Sequence, residues 1–312
     1  MDTDILIRTF YKDVYWLEHC LRSIYRHCRG YRNIVVVFPE NQYGFFEHIK
    51  NYPRVILKTC KKHDNDYIKQ QLTKLHSDEY TDSHYIWHVD SDNIYTKKFN
   101  PRNFMSGRII CDYNIYSKTR QYFQEQDPSS NPWLSTINNF FDLDNKYDFM
   151  RRFPIVYPRW IYPEFRKFCL ETHKISIEDY YQKEKDNPPS EFNLLGAYAW
   201  YYRRERFEWR EIKRDLVAIR LDTGKKEFLK HYRPLMQLWS HFTRLHDFHN
   251  ESMKTQLDKF LDEMINKEMS DEEIRDSCLS REHKPGIWEF LFHPTPEVVD
   301  RLLLVDPQLH QG

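Results

Sequence analysis

Glycine is scarce, with 7 in 312 residues. No G-x-G-x-x-G or Walker-type run occurs, which excludes a phosphate site built on glycine-rich backbone. The six cysteines (Cys20, Cys28, Cys60, Cys111, Cys169 and Cys278) are scattered and never spaced C-x-x-C. That pattern favours buried free thiols in a reducing compartment over a disulfide framework. Net charge is missing too: 47 Lys and Arg offset 47 Asp and Glu, leaving no broad electrostatic grip for nucleic acid. No apolar run approaches the roughly 20 residues of a membrane span. The start, Met1-Asp2-Thr3-Asp4, is too acidic for a secretory leader. These absences predict a cytoplasmic protein without a transmembrane segment and without a nucleic-acid partner.

Aromatic and aliphatic residues are plentiful: 8 Trp, 22 Tyr and 21 Phe contribute to a 40% hydrophobic chain, enough for a sizeable core. Asp4 to Phe10 reads as a buried first strand. From Asp13, the residues Val14, Leu17, Leu21, Ile24 and Tyr25 recur at helical spacing. Asn33 to Phe38 is a second strand, Gln42 to Lys50 a short helix and Arg54 to Leu57 a third strand. Asp64 or Asp66 caps a helix through Ile68, Leu72 and Leu75, and a fourth strand runs from Tyr85 to Asp90. Gly107 to Tyr113 and Leu216 to Leu221 read as later strands. This alternation predicts an α/β fold with a mixed, mostly parallel sheet flanked by helices.

Residues 114–164 lose clear periodicity, as long binding loops on a scaffold do. Asp186-Asn187-Pro188-Pro189 is a break before Ser190 to Tyr198. Leu257, Phe260, Leu261, Met264 and Ile265 return to helical spacing. The reading is a main domain over 1–245 and a helical C-terminal extension over 246–312. The extension packs on the main domain or on a partner, and a homodimer through these helices is one such arrangement.

The stretch Tyr85-Ile86-Trp87-His88-Val89-Asp90-Ser91-Asp92 carries the chemistry. Residues i and i+2 of an extended segment face one side, so Asp90 and Asp92 can offer both carboxylates to one cation. Mn²⁺ or Mg²⁺ takes such oxygen ligands and keeps positions for phosphate. An EF-hand loop counted from Asp90 would need Gly and Glu where Tyr95 and Pro101 stand. A solvated turn is the plain alternative for an Asp-x-Asp pair.

With these elements in order, the chain resembles the GT-A nucleotide-sugar glycosyltransferases. Within them it is similar to chlorella-virus (chlorovirus) glycan-building enzymes and related bacterial transferases. The likeness is carried by Ile7 to Asp13 leading into Leu21-Arg22-Ser23-Ile24, by Tyr67 to Leu75 and by Tyr85 to Asp92. Ser190 to Tyr198 and Gln237-Leu238-Trp239-Ser240-His241 complete it, over roughly residues 4–241. It implies a Rossmann-like GT-A fold and a metal-bound nucleoside-diphosphate sugar, with UDP as the default nucleotide. A glycan or glycoprotein would be the acceptor, in the host cytoplasm if the source is viral.

The donor-binding residues so implied are Thr9, Tyr11, Asp13, Gln71, Lys74, Asp90 and Ser91. Asp13 is equally a helix N-cap, and Lys74 equally a solvated surface charge. His241 is the candidate third metal ligand beside Asp90 and Asp92, against an ordinary packed histidine among 15. Glu191 is the candidate general base of an inverting transfer, with Asp112 in reserve. If configuration is retained, Glu191 only orients the sugar. Tyr157, Arg159 and Trp160 are candidates for an acceptor wall, though Trp160 fits a core position as well. Two other classes stay open: a sugar nucleotidyltransferase, and a non-catalytic carbohydrate-binding protein on an inactive transferase fold.

Overall fold

Ile5, Leu6 and Ile7 expose no surface at all, which requires cover on both faces of the strand that holds them. A computed structural model of the chain supplies that cover. It describes residues 2–61, 65–95, 98–104, 108–115, 132–150, 155–211 and 235–237, together with Asp262 and Asn266. The strands are β1 (Thr3–Arg8), β2 (Ile34–Pro39), β3 (Val55–Cys60), β4 (Tyr85–Asp90), β5 (Asn93–Tyr95), β6 (Ile109–Ile115), β7 (Tyr147–Asp148), β8 (Ile155–Pro158), β9 (Phe207–Glu211) and β10 (Leu235–Gln237). The helices are α1 (Val14–His27), α2 (Tyr43–Phe46), α3 (Asp66–Leu75), α4 (Pro132–Phe141), α5 (Ile161–His173), α6 (Ile177–Lys183) and α7 (Glu191–Tyr202).

The principal sheet runs β3-β2-β1-β4-β8. β1 pairs in parallel with β2 and β4, β2 in parallel with β3, and β8 closes the edge antiparallel to β4. The fold is therefore mixed α/β with a mostly parallel sheet, as the alternating pattern predicts. This register places Arg8 at the end of β1 beside Asp90 at the end of β4. β3 is the half-exposed edge strand and carries Lys58 outward, a common guard against edge pairing. A second sheet has the order β7-β6-β9.

The chain divides into two compact units. One comprises Met1–Tyr11, Gly30–Asp90 and Asn100–Arg214, and holds both of these sheets. The other comprises Lys12–Arg29, Ser91–Phe99 and Asp215–Gly312. In this second unit β5 pairs antiparallel with β10, and the Ser23 hydroxyl accepts the Tyr95 N–H at 3.0 Å. Arg22 ion-pairs Asp262, and Arg26 donates to the Asn266 carbonyl at 3.4 Å. Apart from Asp262 and Asn266, both helical, the expected extension over 246–312 lies outside the described residues, as does the expected strand Leu216 to Leu221.

Local chemistry corrects three expectations. The cap of α3 is Asn65, whose side chain accepts from the N–H groups of Tyr67 and Ile68 at 3.0 and 3.2 Å. The expected Asp66 is instead the first helical residue. Part of 114–164 is regular, since α4, β7 and β8 lie inside it. β3 continues three residues past Leu57, because Lys58, Thr59 and Cys60 pair with Val37, Phe38 and Pro39. Five cysteines are described, and all are free and buried. No helix among the described residues is long and apolar enough to cross a membrane.

Two packing details give measurable consequences. A Cβ placed on Gly196 in α7 would lie 2.2 Å from Cβ of Phe149, so only glycine lets these segments approach. Gly196→Ala is expected to destabilise by about 1–3 kcal/mol, as overpacking does, read as a lower Tm with secondary structure retained. His76, after α3, has its ring nitrogens 2.6 Å from Glu79 and 2.7 Å from Glu178. Burial disfavours its charged form, but hydrogen bonds to Glu178 and Glu79 outweigh that and the nearby Arg166, so its pKa is raised. A raised folded pKa stabilises fully below the unfolded value of about 6.5 and is lost as pH climbs through the folded value. His76→Gln is expected to lower Tm by about 3 °C at pH 5.5 and by clearly less at pH 9; equal losses at both would refute the bridge.

Candidate active site

Ser190 makes α7 possible. After the proline break its extended backbone ends, and its hydroxyl accepts the Asn193 N–H, an N-cap. The next residue, Glu191, sits in the first turn, where the helix dipole favours a carboxylate. Its backbone N–H donates to Gln71 Oε1 at 2.7 Å. Its carboxylate faces Lys74, with Nζ 3.1 Å from Oε1. The same Nζ is 3.0 Å from Oδ1 of Asp90.

Lys74 thus bridges the end of β4 and the start of α7. Its side chain is 3% exposed, against 17% for Asp90 and 5% for Glu191, so the alternative of a solvated surface lysine does not hold. Burial alone would discharge the ammonium; the Asp90 and then the Glu191 carboxylate overcome that and raise its pKa. The Phe192 ring lies 5.3 Å from Nζ, and His88 stands edge-on to Phe192 at 4.9 Å. His88 Nε2 is 2.6 Å from the Tyr162 hydroxyl. Complete burial, then Lys74, pushes the His88 pKa down. His88 is a neutral wall of the cluster, two residues before Asp90 on the same strand face.

Sequence reasoning missed one neighbour of this cluster. The Tyr67 phenol has its pKa raised, by burial first and then by the Glu191 charge. Tyr67, Gln71 and Lys74 are spaced i, i+4 and i+7, the period of one helix face, and that spacing was the available signal. Gln71, expected among the donor-binding residues, is 2% exposed and engaged with the Glu191 backbone.

The other expected residues are placed as follows. Thr9 is 1% exposed, and its hydroxyl has no hydrogen-bond partner among the described residues. Tyr11 is 42% exposed, its N–H donates to Gln42 Oε1 at 2.8 Å, and its ring lies 5.4 Å from Phe45. Asp13 occupies the N-cap position of α1 without a side-chain capping bond. It accepts instead from the Ser91 hydroxyl at 3.1 Å. β4 ends at Asp90, and Ser91 and Asp92 form a turn, so strand alternation stops before Asp92. Asp92 Oδ1 accepts from the Asn93 amide at 3.0 Å. Asp112 lies in β6 opposite Arg210 of β9, and its side chain is outside the described ones.

Of the expected acceptor wall, Tyr157 is buried while Arg159 and Trp160 keep some exposure. Tyr157 is 3% exposed in β8, where pairing with Ile86 of β4 turns its ring into the core against Phe192. The Arg159 guanidinium donates to the Asp78 carbonyl at 2.9 and 3.1 Å. Trp160 packs on Phe207 and under Arg206. His241 lies outside the described residues. Among those described, no three His, Cys, Asp or Glu side chains group as a metal site.

The chain is similar to solved glycosyltransferase structures. Two are of the glycosyltransferase GlyE of Streptococcus pneumoniae TIGR4, one of them the apo form. The apo form has TM-score 0.45 at 11% identity over 87% of this chain and 61% of the other; the second has 0.42 at 11% over 86% and 61%. This chain therefore spans about three fifths of their length. No family model matches it, and no curated protein matches its sequence. The functional reading rests on the side chains themselves.

Lys74→Met would leave the buried Glu191 carboxylate and the partly buried Asp90 carboxylate without their shared cation. The expected loss is about 3–5 kcal/mol, typical of removing one partner from a buried ion pair, measured by denaturant unfolding. Lys74→Arg is expected to recover part of it.

Proposed function

We propose that this chain is a glycosyltransferase that moves a sugar from a nucleoside-diphosphate donor, with UDP as the first choice, to a glycan hydroxyl with inversion. The observation that carries the reading is the Lys74 bridge: one buried ammonium joins a strand-end carboxylate, Asp90, to a helix-start carboxylate, Glu191. The end of a parallel strand is where open α/β sheets bind ligands. The order of motifs shared with GT-A enzymes supports the same conclusion.

Glu191 accepts the proton of the attacking hydroxyl, a role that requires its carboxylate to point in a fixed direction. Lys74 and the Gln71 contact at its backbone fix that direction. Tyr11, exposed beyond β1, offers a ring face for the nucleobase. Asp90 and Asp92 are hard oxygen donors of the type a divalent cation takes, and one oxygen of Asp90 already accepts from Lys74. His241 is the proposed further ligand. Mn²⁺ or Mg²⁺ bound there would neutralise the charge developing on the departing diphosphate. The proposed setting is the cytoplasm, in keeping with buried free thiols.

A second reading has an observation of its own. Glu191 is 5% exposed and salt-bridged, which equally suits a carbohydrate-binding protein on a silent transferase fold. Turnover separates the two. The test is a nucleotide-sugar panel with Mn²⁺, scored by melting shift and by release of nucleotide. Donor consumption is expected, and Glu191→Gln should lower turnover about 10²–10⁴-fold while the nucleotide still raises Tm. Unchanged turnover in that variant removes Glu191 as the base. No response to any nucleotide sugar ends the transferase reading.

A further inference from the structure

Proline occupies both positions before Ser190, and a residue that precedes proline is kept out of helical conformation. The chain therefore cannot run from α6 into α7 as one helix. Ser190 is the N-cap, and its carbonyl takes the first helical bond, from the Leu194 N–H at 2.9 Å. The Pro189 carbonyl lies one residue outside that ladder, so helix formation gives it no donor. Pro189 is buried, and a buried carbonyl needs one. Tyr181 of α6 supplies it: the Tyr181 hydroxyl donates to the Pro189 carbonyl at 2.9 Å. Tyr181 exposes no surface. Burial, and then the Glu191 charge, hold its phenol well above the usual pKa, so the proton stays on the donor. α6 is itself tied to α3, because Glu178 in its first turn lies 2.7 Å from His76.

We propose that Tyr181 is a positioning residue for Glu191, fixing the point at which α7 begins and with it the direction of the base carboxylate. The inference rests on the transferase reading for what Glu191 does. The contacts of Glu191 with Gln71 and Lys74 both come from α3. A carboxylate tied to one helix is free to turn with that helix. The Tyr181 bond adds a hold from a second helix, at the peptide joining Pro189 to Ser190. Since α6 returns to α3 through Glu178 and His76, the contacts close a ring: α3, Glu191, Pro189, Tyr181, α6 and α3 again. No member of such a ring tilts without straining a bond made elsewhere in it. Catalysis by a base is sensitive to that, since a misplacement of about 1 Å costs on the order of 10²-fold in rate.

The test uses the full chain labelled with ¹⁵N-glutamate, the Glu191 and Glu171 amide resonances being assigned from Glu191→Gln and Glu171→Gln. The Glu191 N–H bonds Gln71 rather than the helix ladder, so its exchange with solvent reports the hold on Glu191; Glu171, in α5, is the reference. Tyr181→Phe keeps the ring and removes the donor. In it the Glu191 amide is expected to exchange about 10-fold faster relative to Glu171, the worth of one buried hydrogen bond. Equal acceleration of both amides, as plain destabilisation gives, or no change in either, overturns the proposal. With a nucleotide-sugar donor, Tyr181→Phe should lower kcat about 3–10-fold at unchanged donor KM. The same substitution made in Glu191→Gln should cost no further turnover, because a residue acting through Glu191 has nothing left to aim. An undiminished cost there overturns the proposal as well. Should Tyr181→Phe fail to fold, Glu178→Gln loosens the other end of α6 at a half-exposed position. It is expected to quicken Glu191 over Glu171 in the same way, and failure to do so refutes the ring. A wild type without turnover, in which Tyr181→Phe still quickens Glu191, defeats the transferase reading and leaves the hold standing.

Discussion

The Lys74 ammonium, closed off from water between two carboxylates, is the constraint around which the first unit is arranged. An unpaired charge in that position would cost several kcal/mol in desolvation. Two anions at 3.0 and 3.1 Å return that cost only while all three groups keep their places. The bridge therefore acts on geometry more than on net stability. It fixes α3 against the end of β4 and the start of α7, and any shift of one element exposes a charge mismatch in the other two.

α7 transmits this constraint through the rest of the unit. Its first turn is held from one side by Ser190 and from the other by Gln71. Two residues after Glu191, Asn193 Oδ1 accepts from the backbone of Phe149 at 2.6 Å and Met150 at 3.1 Å. Gly196 then lets Phe149 sit directly on the helix. The segment after β7 is thereby tied to α7, and β7 pairs with β6 of the second sheet. A side chain at Gly196 would push against the same helix that aims Glu191, so packing three residues beyond Asn193 bears on the carboxylate.

Much of the sheet was legible because buried parallel strands leave near-continuous apolar runs, as Ile34 to Phe38 shows. Asp90 was legible as the polar stop of such a run. The relation between Lys74 and Glu191 was not, since nothing local links residues 117 positions apart and both occur in ordinary helical patterns. Tyr157 misled for a related reason. An aromatic next to proline and arginine looks like a sugar platform, and only the antiparallel pairing of β8 with β4 shows that its ring is core. The cap at Asn65 rather than Asp66 turned on one residue's extended backbone, which sequence seldom fixes.

Delivering three different groups from one helix has a physical logic. Tyr67, Gln71 and Lys74 share the rigidity of α3, so their spacing is set by helical rise rather than by loop conformation. Lys74 reaches the carboxylate of Glu191, Gln71 reaches its backbone, and Tyr67 stands one turn further toward solvent. Polarity falls along that face from ammonium to amide to phenol, and only the last is exposed. A charged centre is thereby kept dry, while the neutral, partly exposed end meets whatever approaches from water. Asn65, capping the same helix, holds the outer end of this series in register. The order of side chains along α3 thus runs from a dry ion-paired centre outward to an exposed aromatic ring.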